Sequence, residues 1–244
     1  MKEANEKFKL IINYELLNEF CKINELVIVT KEMLKENNIF EELVYSTANN
    51  FVGRSVYPKD MPLMMHEKMW SKLVKMNKEL MTYGMALKIC DAYRPIGIQK
   101  IFWEIFYNVH GYYDENLVAN PEKYSMHNIK LNAVDLLLVD VSGNEVEMPC
   151  KFDDFSEKAN IYYDDCSDVA KQNRNLLISI ANNHGLIVNE NEWWHYYDDS
   201  LKEFGMHYDY SKSDMVPENE KEVFTKRDFR RVYACTLGRK LCTV

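Results

Sequence analysis

A chain of 244 residues, with 47% hydrophobic and 13% aromatic residues, is long enough and apolar enough to bury a substantial core, which excludes wholesale disorder. Its formal net charge of −8 gives no electrostatic reason for a nucleic-acid or other polyanionic partner. No apolar run approaches the ~20 residues of a membrane span, and residues 1–30 are broken throughout by Lys, Glu and Asn. No transmembrane segment and a cytoplasmic location are therefore expected.

Residues 1–44 alternate apolar clusters with charges, as in Tyr14-Glu15-Leu16-Leu17 and Lys31-Glu32-Met33-Leu34, and read as a variable N-terminal layer of short strands or helices. Over residues 63–81, Met65, Met69, Leu73, Met76 and Leu80 recur at three- and four-residue steps, which predicts a helix with one buried face. Gly84 ends it. Residues 85–89 then read as a buried strand running into Asp91-Ala92-Tyr93-Arg94-Pro95, so Arg94 stands where a strand stops. Residues 98–107 have helical apolar spacing terminated by Gly111, and a polar segment over 112–130 follows. The run Val-Asp-Leu-Leu-Leu-Val within residues 133–139 is the clearest buried strand, and Ser142-Gly143-Asn144 predicts a hairpin turn to a partner strand at 145–148. Ser167 or Asp168 caps a helix carrying Val169, Leu176, Leu177 and Ile180, which ends at His184-Gly185 before a strand at 186–188.

This mixture predicts an α+β fold, a single domain with a central, mainly antiparallel sheet flanked by helices. Beyond Tyr210 charged residues become dense, so 45–210 reads as the main domain and 211–244 as a charged C-terminal appendage. Phe224, Phe229, Val232 and Tyr233 there suit an amphipathic helix docked back on the domain; a basic helix for an acidic partner or membrane surface is the rarer alternative. The six cysteines lack a CxxC pair and fit reduced thiols, with Cys90 a small buried hydrophobe.

Glu192-Trp193-Trp194-His195 is the most informative tetrapeptide, because it sets a carboxylate three residues from an imidazole with two water-excluding aromatics between. The flanking residues suggest an extended segment, where positions three apart point to opposite faces, so joint action requires a bulge or bend. Taken alone it reads as a tryptophan-rich core strand with a solvated glutamate and a satisfied histidine. His127 in a polar loop and Asp135 inside an apolar strand add nitrogen and oxygen donors that zinc accepts, and with His195 they complete three protein ligands. A carboxylate buried among leucines needs a cation or metal beside it, or else the hydrogen bonds of a structural aspartate.

Asp91-Ala92-Tyr93-Arg94-Pro95, Ser125-x-His127 with Ala133-x-Asp135, Phe152-Asp153 and Glu192-Trp193-Trp194-His195 occur in order, and this series resembles the signature of VanX-type D-alanyl-D-alanine dipeptidases. Residues 45–53 resemble the same family, so the likeness runs from Tyr45 to Tyr197. The resemblance implies a cytoplasmic zinc peptidase with one metal per chain at the sheet face, ligated by His127, Asp135 and His195. It implies that Glu192 is the general base for a metal-activated water, and that Arg94 stabilises the tetrahedral intermediate. Ser125 and Asp153 match positions that hold the substrate's ammonium group, although Asp153 reads nearly as well as a loop or cap residue. Asp91 and Tyr93 read as supports for Arg94. The implied partner is a small dipeptide containing a D-amino acid, D-Ala-D-Ala above all; a homo-oligomer is left open.

One departure stands out: the family's pattern has one residue fewer between its first two ligands and a glycine among them, whereas His127-Asn128-Ile129-Lys130-Leu131-Asn132-Ala133-Val134-Asp135 has none. A loop absorbs such an insertion, and Asn132 is the residue expected to take the left-handed conformation in the glycine's place. If the insertion displaced His127, His110 would be a substitute ligand, the less favoured reading. The alternative function is a degenerate, non-catalytic homologue acting as a binding protein, and a third is an interaction protein using residues 211–244. His66 is expected inside the first amphipathic helix and His184 at a helix C-terminus. His207 has no supporting motif.

Overall fold

The computed structural model describes residues 18, 21–22, 25–57, 61–94, 96–121 and 131–204. The expected appendage, together with Ser125, His127 and His207, lies outside the described residues. The fold is α+β. Strand β1 (Leu26–Ile28) leads through helix α1 (Lys31–Glu36) to the short β2 (Phe40–Glu41). Then come β3 (Met64–His66), α2 (Glu67–Met81), β4 (Met85–Asp91), α3 (Ile96–His110) and β5 (Ala133–Asp140). Helix α4 (Asp168–Asn183) precedes a closing hairpin of β6 (Ile187–Asn189) and β7 (Glu192–Tyr197). The main sheet has the order β2-β4-β5-β7-β6 and is antiparallel except for the parallel β2–β4 pair. A second sheet pairs β1 with β3.

The α2 stripe packs as its spacing demands: Met69, Leu73, Met76 and Leu80 are fully buried against β4 and α4. The helix nonetheless starts later than periodicity suggests. Met64, Met65 and His66 pair antiparallel with Ile28, Val27 and Leu26 of β1, a long-range ladder that the local pattern does not reveal. His66 is consequently not a helix-interior residue but the N-cap, its Nδ1 accepting from the Lys68 amide at 3.1 Å. Buried Asn77 fastens α2 to its surroundings. Its Nδ2 donates to the carbonyls of Asn37 and Asn38 at 2.8 and 3.1 Å, and its Oδ1 accepts from the Leu87 amide of β4 at 2.7 Å.

Ser167 caps α4 through the Ala170 amide and His184 is its C-terminal cap, as the sequence predicts; the structure adds a pair between His184 and Glu79 at 2.7 Å. The hairpin expected after β5 shrinks to one bridge, Val139 to Glu145. The Asp140 carboxylate gathers the turn instead, accepting from the Ser142 and Asn144 amides at 2.8 and 2.9 Å, and Pro149 has no N–H with which to extend a ladder. Gly143 is required there: its φ is +87°, and a Cβ would meet the Phe40 ring at 2.6 Å. The left-handed residue ahead of β5 is Leu131 at φ +54°, not Asn132. Asn132 is committed elsewhere, its Nδ2 donating to the Asp198 carbonyl at 2.9 Å while its own carbonyl accepts from the Asp198 amide at 2.8 Å. No helix among the described residues is long and apolar enough to cross a membrane.

Candidate active site

Three neighbouring strands bring the site together. Asp135 of β5 stands opposite Asp91 of β4 on one side and opposite His195 of β7 on the other, and directly opposed residues project from the same face of a sheet. A register shift between Ile89 and Asp91 is what aligns Asp91 with Asp135. The row is connected: His195 Nδ1 lies 3.0 Å from Asp135 Oδ1, and Asp135 Oδ2 lies 3.5 Å from Arg94 Nη2.

Arg94 follows β4 directly and is held from two sides. Its Nε and Nη2 donate to Asp91 Oδ2 at 2.9 and 2.7 Å, while Asp91 Oδ1 accepts from the Tyr57 hydroxyl at 2.6 Å. Asp91 thus supports Arg94, as its place in the motif suggests. The guanidinium carbon also lies 5.2 and 4.9 Å from the ring centres of Tyr45 and Phe102.

Glu192 reaches the same cavity because β7 is irregular. The register with β6 shifts between Val188 and Asn189, so Asn189 stands opposite Glu192 while Val188 stands opposite Tyr196. Glu192 and His195 are half-buried and line the cavity with Asp135; Trp193 and Trp194 between them are buried, their rings crossed at 83°. Asn189 Nδ2 donates to Glu192 Oε2 at 3.3 Å. The bulge required for joint action of the carboxylate and imidazole is therefore present.

Five of the seven residues singled out in the sequence, namely Arg94, Asp135, Asp153, Glu192 and His195, line one cavity of about 230 Å³. The other two, Ser125 and His127, fall outside the described residues. The sequence profile of the D-ala-D-ala dipeptidase family, peptidase family M15, matches residues 24–213. The chain belongs to this family. It is similar to the D-alanyl-D-alanine dipeptidase of Escherichia coli K12, with 30% identity over 155 residues covering 64% of this chain and 76% of that protein. It is also similar to the D-alanyl-D-alanine dipeptidase of Enterococcus faecium, with 29% identity over 170 residues covering 62% of this chain and 82% of that protein.

In this family member the cavity is rich in carboxylates. Among the described residues, Asp135, Asp153, Glu192 and Glu115 line it, against the guanidinium of Arg94 and the imidazole of His195. Burial pushes Asp153 up to about 8, reinforced by Asp135 and opposed by the Tyr45 hydroxyl that donates to its Oδ1 at 2.9 Å. Its Oδ2 is buried with no hydrogen-bond partner among the described residues, and its φ is +61°. Burial likewise raises Glu192 to about 7, with His195 and Arg94 pulling the other way. Burial alone would lower His195, but its bond to Asp135 and the nearby Glu192 carboxylate hold it above the usual imidazole value.

Among the described residues no three His, Cys, Asp or Glu groups are arranged to hold a metal ion. The donors present suit one all the same: an imidazole nitrogen and a carboxylate oxygen face each other at 3.0 Å, in a pocket where acids outnumber cations among the described residues. His110 is not part of it, standing exposed at the end of α3 with its ring 4.3 Å from that of Phe106. Sequence reasoning missed Gln99 and Asn189, which bond Arg94 and Glu192. The only signal for Gln99 was an amide among the apolar residues Ile98, Ile101 and Phe102.

Proposed function

We propose that this family member is a zinc-dependent dipeptidase that hydrolyses D-Ala-D-Ala or a similarly small dipeptide. The observation that carries the reading is the convergence of Arg94, Asp135, Glu192 and His195 on one cavity, made by the β7 bulge. His127, Asp135 and His195 would hold the zinc, which when bound supplies a Lewis acid and a water that ionises near neutral pH. Glu192 accepts a proton from the attacking water and returns it to the leaving amine. Arg94, its plane fixed by Asp91, directs an N–H at the oxygen on which negative charge develops. Asp153 Oδ2, which has no hydrogen-bond partner among the described residues, takes the substrate's ammonium group together with Ser125. Phe51, Phe102, Phe155 and Trp194 wall the cavity and exclude water. At about 230 Å³ the space is below the ~300–1,000 Å³ common for drug-sized ligands, which favours two small residues over a longer peptide.

The test is release of D-alanine from D-Ala-D-Ala by the purified full chain supplied with zinc. Activity should be abolished in Glu192→Ala and in metal-stripped protein and restored to the latter by zinc. Release from the wild type no greater than from Glu192→Ala would refute the reading. Negligible zinc after purification from zinc-containing medium would point instead to a non-catalytic binding protein on the same scaffold.

A further inference from the structure

Gln99 is 1% exposed in the first turn of α3, and its amide is used at both ends. Its Oε1 accepts from Arg94 Nη1 at 2.8 Å, and its Nε2 donates to the Ala119 carbonyl at 2.8 Å. The orientation is unambiguous, because a guanidinium offers only donors and a carbonyl only an acceptor. One side chain therefore bridges the arginine of the site and a segment of the cavity wall, since residues 115–119 all line the cavity. The outer end of that segment is stapled by Tyr113, stacked on Trp103 and Tyr107 with ring centres 4.4 and 4.5 Å apart, and Val118 is buried. Gln99 secures the inner end.

We propose that Gln99 is a positioning residue that couples the aim of Arg94 to the placement of the wall at residues 115–119. Asp91 occupies Nε and Nη2 of the guanidinium, and Gln99 occupies Nη1, so the two together fix both its plane and its rotation. The bond to Ala119 transmits that geometry to the wall, so a substrate pressing on residues 115–119 and the group that stabilises its transition state are held by one amide. The consequence for catalysis rests on the reading of Arg94 given above; the mechanical link does not.

Two variants separate the arms. Gln99→Met keeps the length and removes both bonds. Gln99→Glu keeps an acceptor for Arg94 but cannot donate to Ala119. In dipeptide hydrolysis, Gln99→Met is expected to lower kcat about 10- to 100-fold and to raise KM, whereas Gln99→Glu should raise KM with kcat within a few-fold of wild type. Independently of turnover, hydrogen exchange in the metal-free chain should quicken at the amides of residues 115–119 in both variants while β4 and β5 stay protected. Wild-type exchange at residues 115–119 in Gln99→Met overturns the link, as do unchanged kcat and KM in an active enzyme. Faster exchange throughout β4 and β5 also overturns it, since Gln99 would then be a general packing residue. If the wild type proves inactive, or if Arg94→Ala retains full activity, the catalytic reading fails on its own, and the exchange comparison still decides the link.

Discussion

Leu131 is the residue whose conformation contradicts its chemistry. It is 1% exposed and sits at φ +54°, where a side chain costs on the order of 1 kcal/mol that glycine does not incur. Its burial is worth more, since truncating a buried leucine costs about 2–5 kcal/mol. Leu131→Ala keeps the strain and loses the packing, whereas Leu131→Gly loses the packing and sheds the strain. Urea unfolding should therefore find both variants destabilised but the glycine variant the more stable by about 1 kcal/mol, the reverse of the usual order. Equal stability, or alanine ahead, would remove the strain argument. Asp198 shows the opposite case, a buried acid fully accommodated. Burial raises its pKa, but Lys72 Nζ at 2.6 Å and the Ser200 hydroxyl and amide at 2.6 and 3.0 Å outweigh it and leave the carboxyl below its ordinary value. A depressed acid stabilises the fold above its unfolded pKa, near 3.9, and loses that contribution as pH falls through the folded value. The acid limb of a stability-against-pH curve should be shallower in Asp198→Asn, and an unchanged limb would show that other acids dominate.

At the scale of elements, local pattern was readable wherever a stripe or cap is local. The α2 face, the buried run of β5 and the Ser167 cap need only neighbouring residues, and all three stand. What was not readable depended on partners far along the chain. Residues 64–66 continue the helical spacing of α2 but are drawn into β3 by β1, and the strand expected at 145–148 gives way to the side-chain-bonded turn at Asp140. Asn77 belongs to this class, an amide whose three bonds join α2 to β4 and to the turn after α1. Asn77→Ala strands the buried Leu87 amide and removes the donor from the half-buried Asn37 and Asn38 carbonyls, with a cost of about 2–4 kcal/mol. The melting temperature should fall by roughly 5–15 °C at ~2–4 °C per kcal/mol for a chain of this size. A change below about 2 °C would mean that water replaces the amide.

For the whole molecule, the site was legible as a set of motifs but not as a geometry. Arg94, Asp135, Asp153, Glu192 and His195 are dispersed over a hundred positions, and it was the resemblance that grouped them; the row Asp91, Asp135, His195 across three strands supplies the reason they meet. Gln99 and Asn189 carry no motif and only the folded chain reveals them. The excess of carboxylates in the cavity also predicts how the fold responds to metal. On the proposed role of zinc, the ion at about 100 times its dissociation constant adds ~2.7 kcal/mol of stability, so the melting temperature should rise by roughly 5–10 °C and fall back on chelation. Asp135→Asn should lose most of that rise, and a full rise in this variant would place the metal elsewhere.

The irregularity in β7 has one more consequence. An ordinary strand alternates between two environments, so neighbouring positions are spent on different faces. Between Glu192 and His195 the rhythm is half-buried, buried, buried, half-buried, and four consecutive residues serve two tasks: the outer pair faces the cavity with the groups proposed as base and metal ligand, and the inner pair packs into the hydrophobic interior, where Trp193 Nε1 meets Cys150 Sγ at 3.3 Å and Trp194 backs the cavity wall. Chemistry and architecture are thereby encoded in one short word of sequence. A slip of a single residue within it would exchange a tryptophan for a reactive group, so reactivity and folding would be lost together.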